Sequence, residues 1–275
     1  MLQFEELKLR LIAHEEELSN LADALGLEKM KNEIAVLEED LDETDAYFGP
    51  CPFINLVHQL QLEMTGADVS FAAPLSFDSV IPKGIITVRD MFKLYKYENY
   101  LYTLKLTGKE IKDILELSYD RWTNTMTSAD DHIMKLSYVL NNGKRLGFEN
   151  LAFNFISAAG IKYDVDVTKP FGQKISISEM LDGKAFDLDR MYTVAVNSYH
   201  GSGGGELLPK GSGIDKNELP NRIVCETSED LRSLFIKRIK QLKHIRPSMC
   251  GQWQFVPSNW TDSALKRDRM LLFKH

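Results

Sequence analysis

Residues 100–119, YLYTLKLTGKEIKDILELSY, hold the clearest structural signal in the chain. Leu101, Thr103 and the residues that follow to Leu106 alternate with period two, as in a strand with one buried face. Thr107 and Glu110 then form a T-x-x-E capping box, which opens a helix over Ile111–Tyr119. The same alternation extends outward. Residues 53–64 (FINLVHQLQLEM) have helical spacing and stop at Gly66, and Asp68–Ala73 reads as a short buried strand. Thr87 with Asp90 opens a short helix through Met91 and Phe92. Leu151–Ile156, Tyr192–Val196 and Trp253–Val256 are further strand candidates, and Ser228 begins a helix through Leu231, Leu234, Phe235 and Ile239. Strands and helices interleave, but several connections are long and some strands pair best as antiparallel neighbours. The expectation is an α+β body with a mixed sheet.

The charge divides the chain unevenly. Residues 1–46 carry 14 acidic and 4 basic residues, leaving 29 basic and 26 acidic residues in 47–275. In the acidic segment Phe4, Leu7, Leu11, His14, Leu18, Leu21 and Leu25 fall on one helical stripe, and Leu27, Met30, Ile34, Leu37 and Leu41 on a second after Gly26. The expected organisation is an N-terminal helical hairpin over 1–46 and a body over 47–275. The stripe must pack on the body or on a second copy, so a homodimer through 1–46 is one reading. With fewer than four heptads per helix, a dimerising coiled coil is the weaker form of it. Residues 1–43 also resemble the N-terminal helices of bacterial peptide chain release factor 2. The GGQ tripeptide that peptide release requires is absent from the chain, so that function is not inferred.

Composition excludes several classes. With 44% hydrophobic and 27% charged residues the chain is an ordinary globular one. A net charge of −7 argues against a general nucleic-acid binder, and no apolar run is long enough to span a membrane. The N-terminus, MLQFEELKLRL, lacks the pattern of a secretory signal. Cys51, Cys225 and Cys250 form no CxxC pair, and the six histidines show no metal-ligand spacing. Asp130, Asp131 and His132 are the nearest approach to a catalytic cluster, and read better as a solvated turn.

Residues 201–206, GSGGGE, follow the strand ending at Val196. Glycines allow backbone to approach a ligand closely, and the adjacent Tyr199 is a platform for a flat ring. The glycines alone are better explained as a flexible hairpin. Here VAVNSYHGSGGGELL (194–208), together with residues 66–118, resembles the C-terminal domain of 5'-nucleotidases. The AAP and LYKYEN variants and the tail QFVPSNWTDSALKRDRMLLF are similar to the 2',3'-cyclic-nucleotide 2'-phosphodiesterase branch. The resemblance covers roughly 47–275.

This resemblance implies the nucleotide-recognition half of a metal-dependent phosphoesterase. It places Tyr97 and Tyr199 on opposite faces of a nucleobase, makes Asn99 a brace of the loop, and matches Gly203 and Gly204 to the family's paired glycines. It implies no cofactor in this chain, since the family's divalent dimetal centre belongs to an N-terminal domain; a metallophosphoesterase domain acting in trans is one partner this leaves open. Phe77 stands where other nucleotidases carry a substrate-contacting arginine, and Gly205 where they carry an aspartate. The family is mostly periplasmic or exported. The alternative is an assembly protein using the acidic helices, with a vestigial pocket.

Overall fold

The computed structural model describes residues 33–140 and 145–273. Its main elements, in chain order, are β1 (Glu33–Leu37), α1 (Pro52–Thr65), β2 (Val69–Ala72), β3 (Gly84–Thr87), β4 (Leu101–Thr107), α2 (Gly108–Trp122), β5 (Ser157–Ala159), β6 (Ile161–Asp166), β7 (Ile175–Met180), β8 (Met191–Asn197), β9 (Ile223–Glu226), α3 (Leu231–Leu242), β10 (His244–Ile245), β11 (Gln252–Val256) and α4 (Ser258–Phe273).

A five-stranded sheet of order β9-β4-β8-β2-β5 forms the centre. Its pairs are antiparallel except β8 with β2, which gives the mixed α+β architecture expected. Two three-stranded sheets flank it, β7-β6-β11 and β10-β1-β3. Among the described residues no helix is long and apolar enough to cross a membrane.

Local chemistry explains the best-read elements. Thr107 and Glu110 make both bonds of the capping box, with Glu110 N–H to Thr107 Oγ1 at 3.1 Å and Thr107 N–H to Glu110 Oε2 at 2.7 Å. One face of α2 then buries Ile111, Ile114, Leu115, Tyr119 and Trp122. Tyr119, Trp122 and Phe155 stack in series at 5.0 and 5.2 Å, with Trp253 and Phe255 edge-on to Tyr119 and Trp122. Such pairs each add about 0.5–1.5 kcal/mol beyond the area they bury. Helix α1 ends at Gly66 in the left-handed region (φ 63°), as its sequence predicts. Cys51 sits at its N-cap without a side-chain capping bond, its thiol donating instead to the Asp42 carbonyl, and Pro52 at the first turn, where no N–H is needed, fits the helix start.

Three expectations are corrected. The second helix expected over 27–41 is a strand from residue 33. β1 pairs in parallel with β10 and antiparallel with β3, burying Ile34, Ala35 and Leu37. Ile34 and Val36 are β-branched, and pairing on both sides outweighs the helical spacing of Ile34, Leu37 and Leu41. The boundary expected at residue 46 therefore falls inside a packed unit. The first of the two expected helices lies outside the described residues. Leu151–Ile156 is not a strand: Ala152–Asn154 forms a single 3₁₀ turn, and the strand begins at Ser157. Helix α3 is capped by Asp230, whose carboxylate accepts the Ser233 N–H at 3.1 Å, rather than opened by Ser228.

Candidate functional site

Tyr97 and Tyr199 are 102 positions apart in sequence but leave neighbouring strand ends. β4 and β8 pair antiparallel with Leu101 opposite Asn197, so the chain entering β4 and the chain leaving β8 meet at one edge of the sheet. Two hydrogen bonds join them: Ser198 N–H to the Tyr100 carbonyl at 2.8 Å, and Tyr100 N–H to Ser198 Oγ at 3.0 Å. Asn197 Oδ1 accepts the His200 N–H at 2.9 Å and caps the turn Ser198–Gly201 that carries Tyr199.

The result is a cavity of about 300 Å³ lined by Leu75, Tyr97, Glu98, Asn99, Phe153, Asn197, Tyr199 and His200. That volume is at the small end for ligand sites. Both tyrosines are partly exposed, at 41% and 40%. Exposed aromatic faces beside a cavity offer stacking area to a planar ligand. Asn99 reaches the buried Tyr95 hydroxyl at 3.4 Å. Burial pushes that phenol up to about 12, partly offset by its bonds to Asn99 and Asn197. Among the described residues the walls carry no lysine or arginine, and the one charged lining residue, Glu98, pairs with Arg232 at 3.1 Å.

Of the five residues singled out in the sequence, Tyr97, Asn99 and Tyr199 line the cavity, while Gly203 and Gly204 lie behind it. A Cβ on Gly204 would fall 2.5 Å from the Tyr199 carbonyl and 2.6 Å from its ring, so the glycine gives that ring its place. Gly203 takes φ +83°, which favours glycine. Gly205, φ +65°, is equally constrained: a Cβ there would sit 2.1 Å from Asn154 Oδ1.

Phe153 was not anticipated. Its ring is edge-on to Tyr97 (6.5 Å, 75°) and to Tyr199 (6.0 Å, 80°). No local pattern marks it, because the 3₁₀ turn that presents it reads as strand. His200 was equally unmarked. Burial pushes its imidazole down to about 4, against a hydrogen bond to the Phe153 backbone. Its Nε2 is buried with no partner among the described residues.

The remaining candidates resolve into structural roles. Phe77 packs on Tyr47, Phe148 and Phe273, apart from the cavity, and Leu75 of the same loop lines it. Asp131 accepts bonds from Thr127 and Ser128, which hold its carboxyl below the usual range, and so closes its own turn. His132 pairs through Nδ1 with the buried Asp268 of α4, which also accepts the Met134 N–H at 2.9 Å. His58 bonds Ser70 Oγ at 3.0 Å and Ser157 Oγ at 3.2 Å inside the core. Burial lowers it to about 3. Among the described residues no three His, Cys, Asp or Glu side chains are grouped to hold a metal ion.

Known proteins share this fold. The family described as "5'-nucleotidase, C-terminal domain" matches residues 29–210. The chain is 28% identical over 193 residues to the trifunctional nucleotide phosphoesterase protein YfkN of Bacillus subtilis, covering 66% of this chain and 12% of that protein. It is 28% identical over 203 residues to the 2',3'-cyclic-nucleotide 2'-phosphodiesterase/3'-nucleotidase of Salmonella typhimurium, covering 70% of this chain and 29% of that protein. The chain thus corresponds to less than a third of the length of each. A Staphylococcus aureus structure described as a 5'-nucleotidase shares the fold, with a TM-score of 0.64 at 23% identity, covering 82% of this chain and 41% of that one. The chain belongs to the family of 5'-nucleotidase C-terminal domains.

Proposed function

We propose that this chain is the nucleotide-recognition half of a metal-dependent nucleotide phosphoesterase, a 5'-nucleotidase or 2',3'-cyclic-nucleotide phosphodiesterase, and that it stacks the base between Tyr97 and Tyr199. The observation that carries this reading is the convergence of these two partly exposed rings on one cavity from the ends of paired strands. Stacking contributes about 1–3 kcal/mol per aromatic wall. Two walls correspond to binding in the millimolar range or slightly tighter once ordering losses are subtracted. Among the described residues the lining holds no lysine or arginine, and the Lys96 ammonium beside it is already engaged with the Tyr97 ring at 5.9 Å, so a phosphate adds little here. Hydrolysis is assigned to a separate phosphoesterase domain holding a divalent dimetal centre, joined in a longer polypeptide or acting in trans. The test is isothermal titration of adenosine and AMP into the chain and into Tyr97→Ala and Tyr199→Ala. Similar weak binding of both ligands, lost in either variant, supports the reading, and binding that survives both variants refutes it.

A further inference from the structure

Tyr97 stands in a stretch, residues 95–100, with no helix or strand of its own, between the short helix Met91–Leu94 and the start of β4. The bonds that hold this stretch come from the segment leading into α3. At its far end the Leu231 N–H donates to the Asn99 carbonyl at 2.7 Å, and Thr227 exchanges two bonds with the Leu101 backbone, each 3.0 Å. Around the tyrosine itself one side chain does the holding. Arg232, in the first turn of α3, donates through Nη1 to the Lys96 carbonyl and through Nη2 to the Glu98 carboxylate, both at 3.1 Å. A single guanidinium thus grips the residue before Tyr97 and the residue after it. Among the described residues no other hydrogen bond reaches residues 96–98.

Three features separate Arg232 from an ordinary surface cation. Its side chain is only 11% exposed, although that of Glu98 is 80% exposed, so the arginine is the fixed member of the pair. Its guanidinium lies over the Phe92 ring at 4.0 Å, which restricts the fork further. A cation in the first turn of a helix also works against the helix dipole, so α3 itself gains nothing from its charge. The residue type fits the task. Arginine presents planar, fixed donors to two acceptors at once, whereas a lysine ammonium offers neither the fork nor the flat face. The ion pair with an exposed carboxylate contributes little alone, and the charge-assisted bond to the Lys96 carbonyl is the one that fixes the backbone.

From this geometry we infer that Arg232 is a positioning residue for Tyr97: it does not line the cavity, but clamps the chain on both sides of the ring and so keeps the ring at the cavity. This rests on the nucleotide-recognition reading above and adds to it that one of the two aromatic walls is set from α3, a helix remote in sequence. Without the clamp the ring is in place for only part of the population, and apparent affinity falls by that fraction.

The test is an NMR titration of AMP into the whole chain and into Arg232→Gln, Arg232→Lys and Arg238→Gln, under conditions where urea denaturation shows each one folded. Arg238 lies on the same helix but pairs with Glu63 of α1 at 2.8 Å. Arg232→Gln should weaken AMP binding about three- to tenfold and lower the ¹H–¹⁵N NOE of residues 96–98 in the free chain, leaving residues 197–206 as ordered as before. Arg232→Lys, which can keep one of the two bonds, should fall between, and Arg238→Gln should bind as the unmodified chain does. A merely structural arginine would lower the denaturation midpoint and leave the dissociation constant of the folded protein unchanged. That result overturns the inference, as does an equal loss of affinity in Arg238→Gln. If Arg232→Gln does not fold, Arg232→Lys decides by the same two readouts. If AMP does not bind the unmodified chain, the recognition reading falls on its own. The clamp is then decided by the NOE of residues 96–98, where a drop in Arg232→Gln supports it and unchanged values refute it.

Discussion

Glu43 accepts the backbone N–H of Leu75 at 2.7 Å, and Leu75 lines the aromatic cavity. The same carboxyl takes the Ser76 N–H at 2.8 Å and the Ser79 N–H at 3.2 Å, while Tyr47 donates its hydroxyl to the Ser76 carbonyl at 2.6 Å. A fully buried side chain from the acidic N-terminal stretch thus supplies the hydrogen bonds for one wall of the site. Burial pushes its carboxyl up to about 7, against the three backbone donors, which favour the ionised form.

Glu43→Ala leaves three loop N–H groups without that acceptor. Each buried unsatisfied donor costs about 1–3 kcal/mol, so a loss of about 3 kcal/mol or more is expected. Glu43→Gln keeps two of the bonds but sets an amide donor against the Ser79 N–H, and should cost about 1–3 kcal/mol. Urea denaturation measures both. A loss below about 1 kcal/mol for the alanine variant would show that solvent replaces Glu43 freely.

A chain beginning at Asp45 removes β1 from between β10 and β3, and removes Glu43 as well. It should lose cooperative unfolding and bind a hydrophobic dye such as ANS. A sharp, dye-free transition would place β1 outside the cooperative core.

Stability should fall in acid. His58 and His200 titrate at about 3 and about 4 when folded, below the ordinary 6.5. The unfolded chain therefore takes up their protons first, and stability is lost as pH falls below 6.5 toward those values. Glu43 acts oppositely: its raised folded value means stability is lost as pH rises from 4.5 through about 7. Between pH 4.5 and 6.5 two histidines outweigh one carboxyl, with a net slope of up to about 1.4 kcal/mol per pH unit, stability increasing with pH. Glu43→Gln removes the opposing group and should steepen that slope. Denaturation series at pH 5, 6 and 7 give the answer, and a flat or inverted profile would contradict it.

Gly204→Ala and Gly205→Ala test the loop behind the cavity. The first drives a methyl group into Tyr199, the second into Asn154 at a backbone φ of +65°. Each should cost about 1–3 kcal/mol and shift the NMR signals of its neighbour, Tyr199 or Asn154 with Phe153. Unchanged stability would mean the loop is free to move away.

What could be read from the sequence followed the range of the interactions. The Thr107–Glu110 box, Gly66 and the alternation in β4 are local, and each appears where its residues place it. Tyr97 and Tyr199 were recognised by resemblance, and what joins them, the register of β4 on β8, is non-local. Residues 33–37 misled because Ile34 and Leu37 suit either a helix or a strand, and their partners lie near residues 85 and 244. Phe153 had no signal at all: its position is set by Phe155, Gly205 and Arg121, each from a different element.

The most direct test of the central claim is a ¹H–¹⁵N NMR titration of the chain with adenosine and with AMP. Shifts should centre on residues 97–99, 153 and 197–206, saturate at similar millimolar concentrations for both ligands, and change little with salt, because stacking is not a charge–charge contact. Shifts elsewhere, or none in those segments at saturating ligand, would contradict the account.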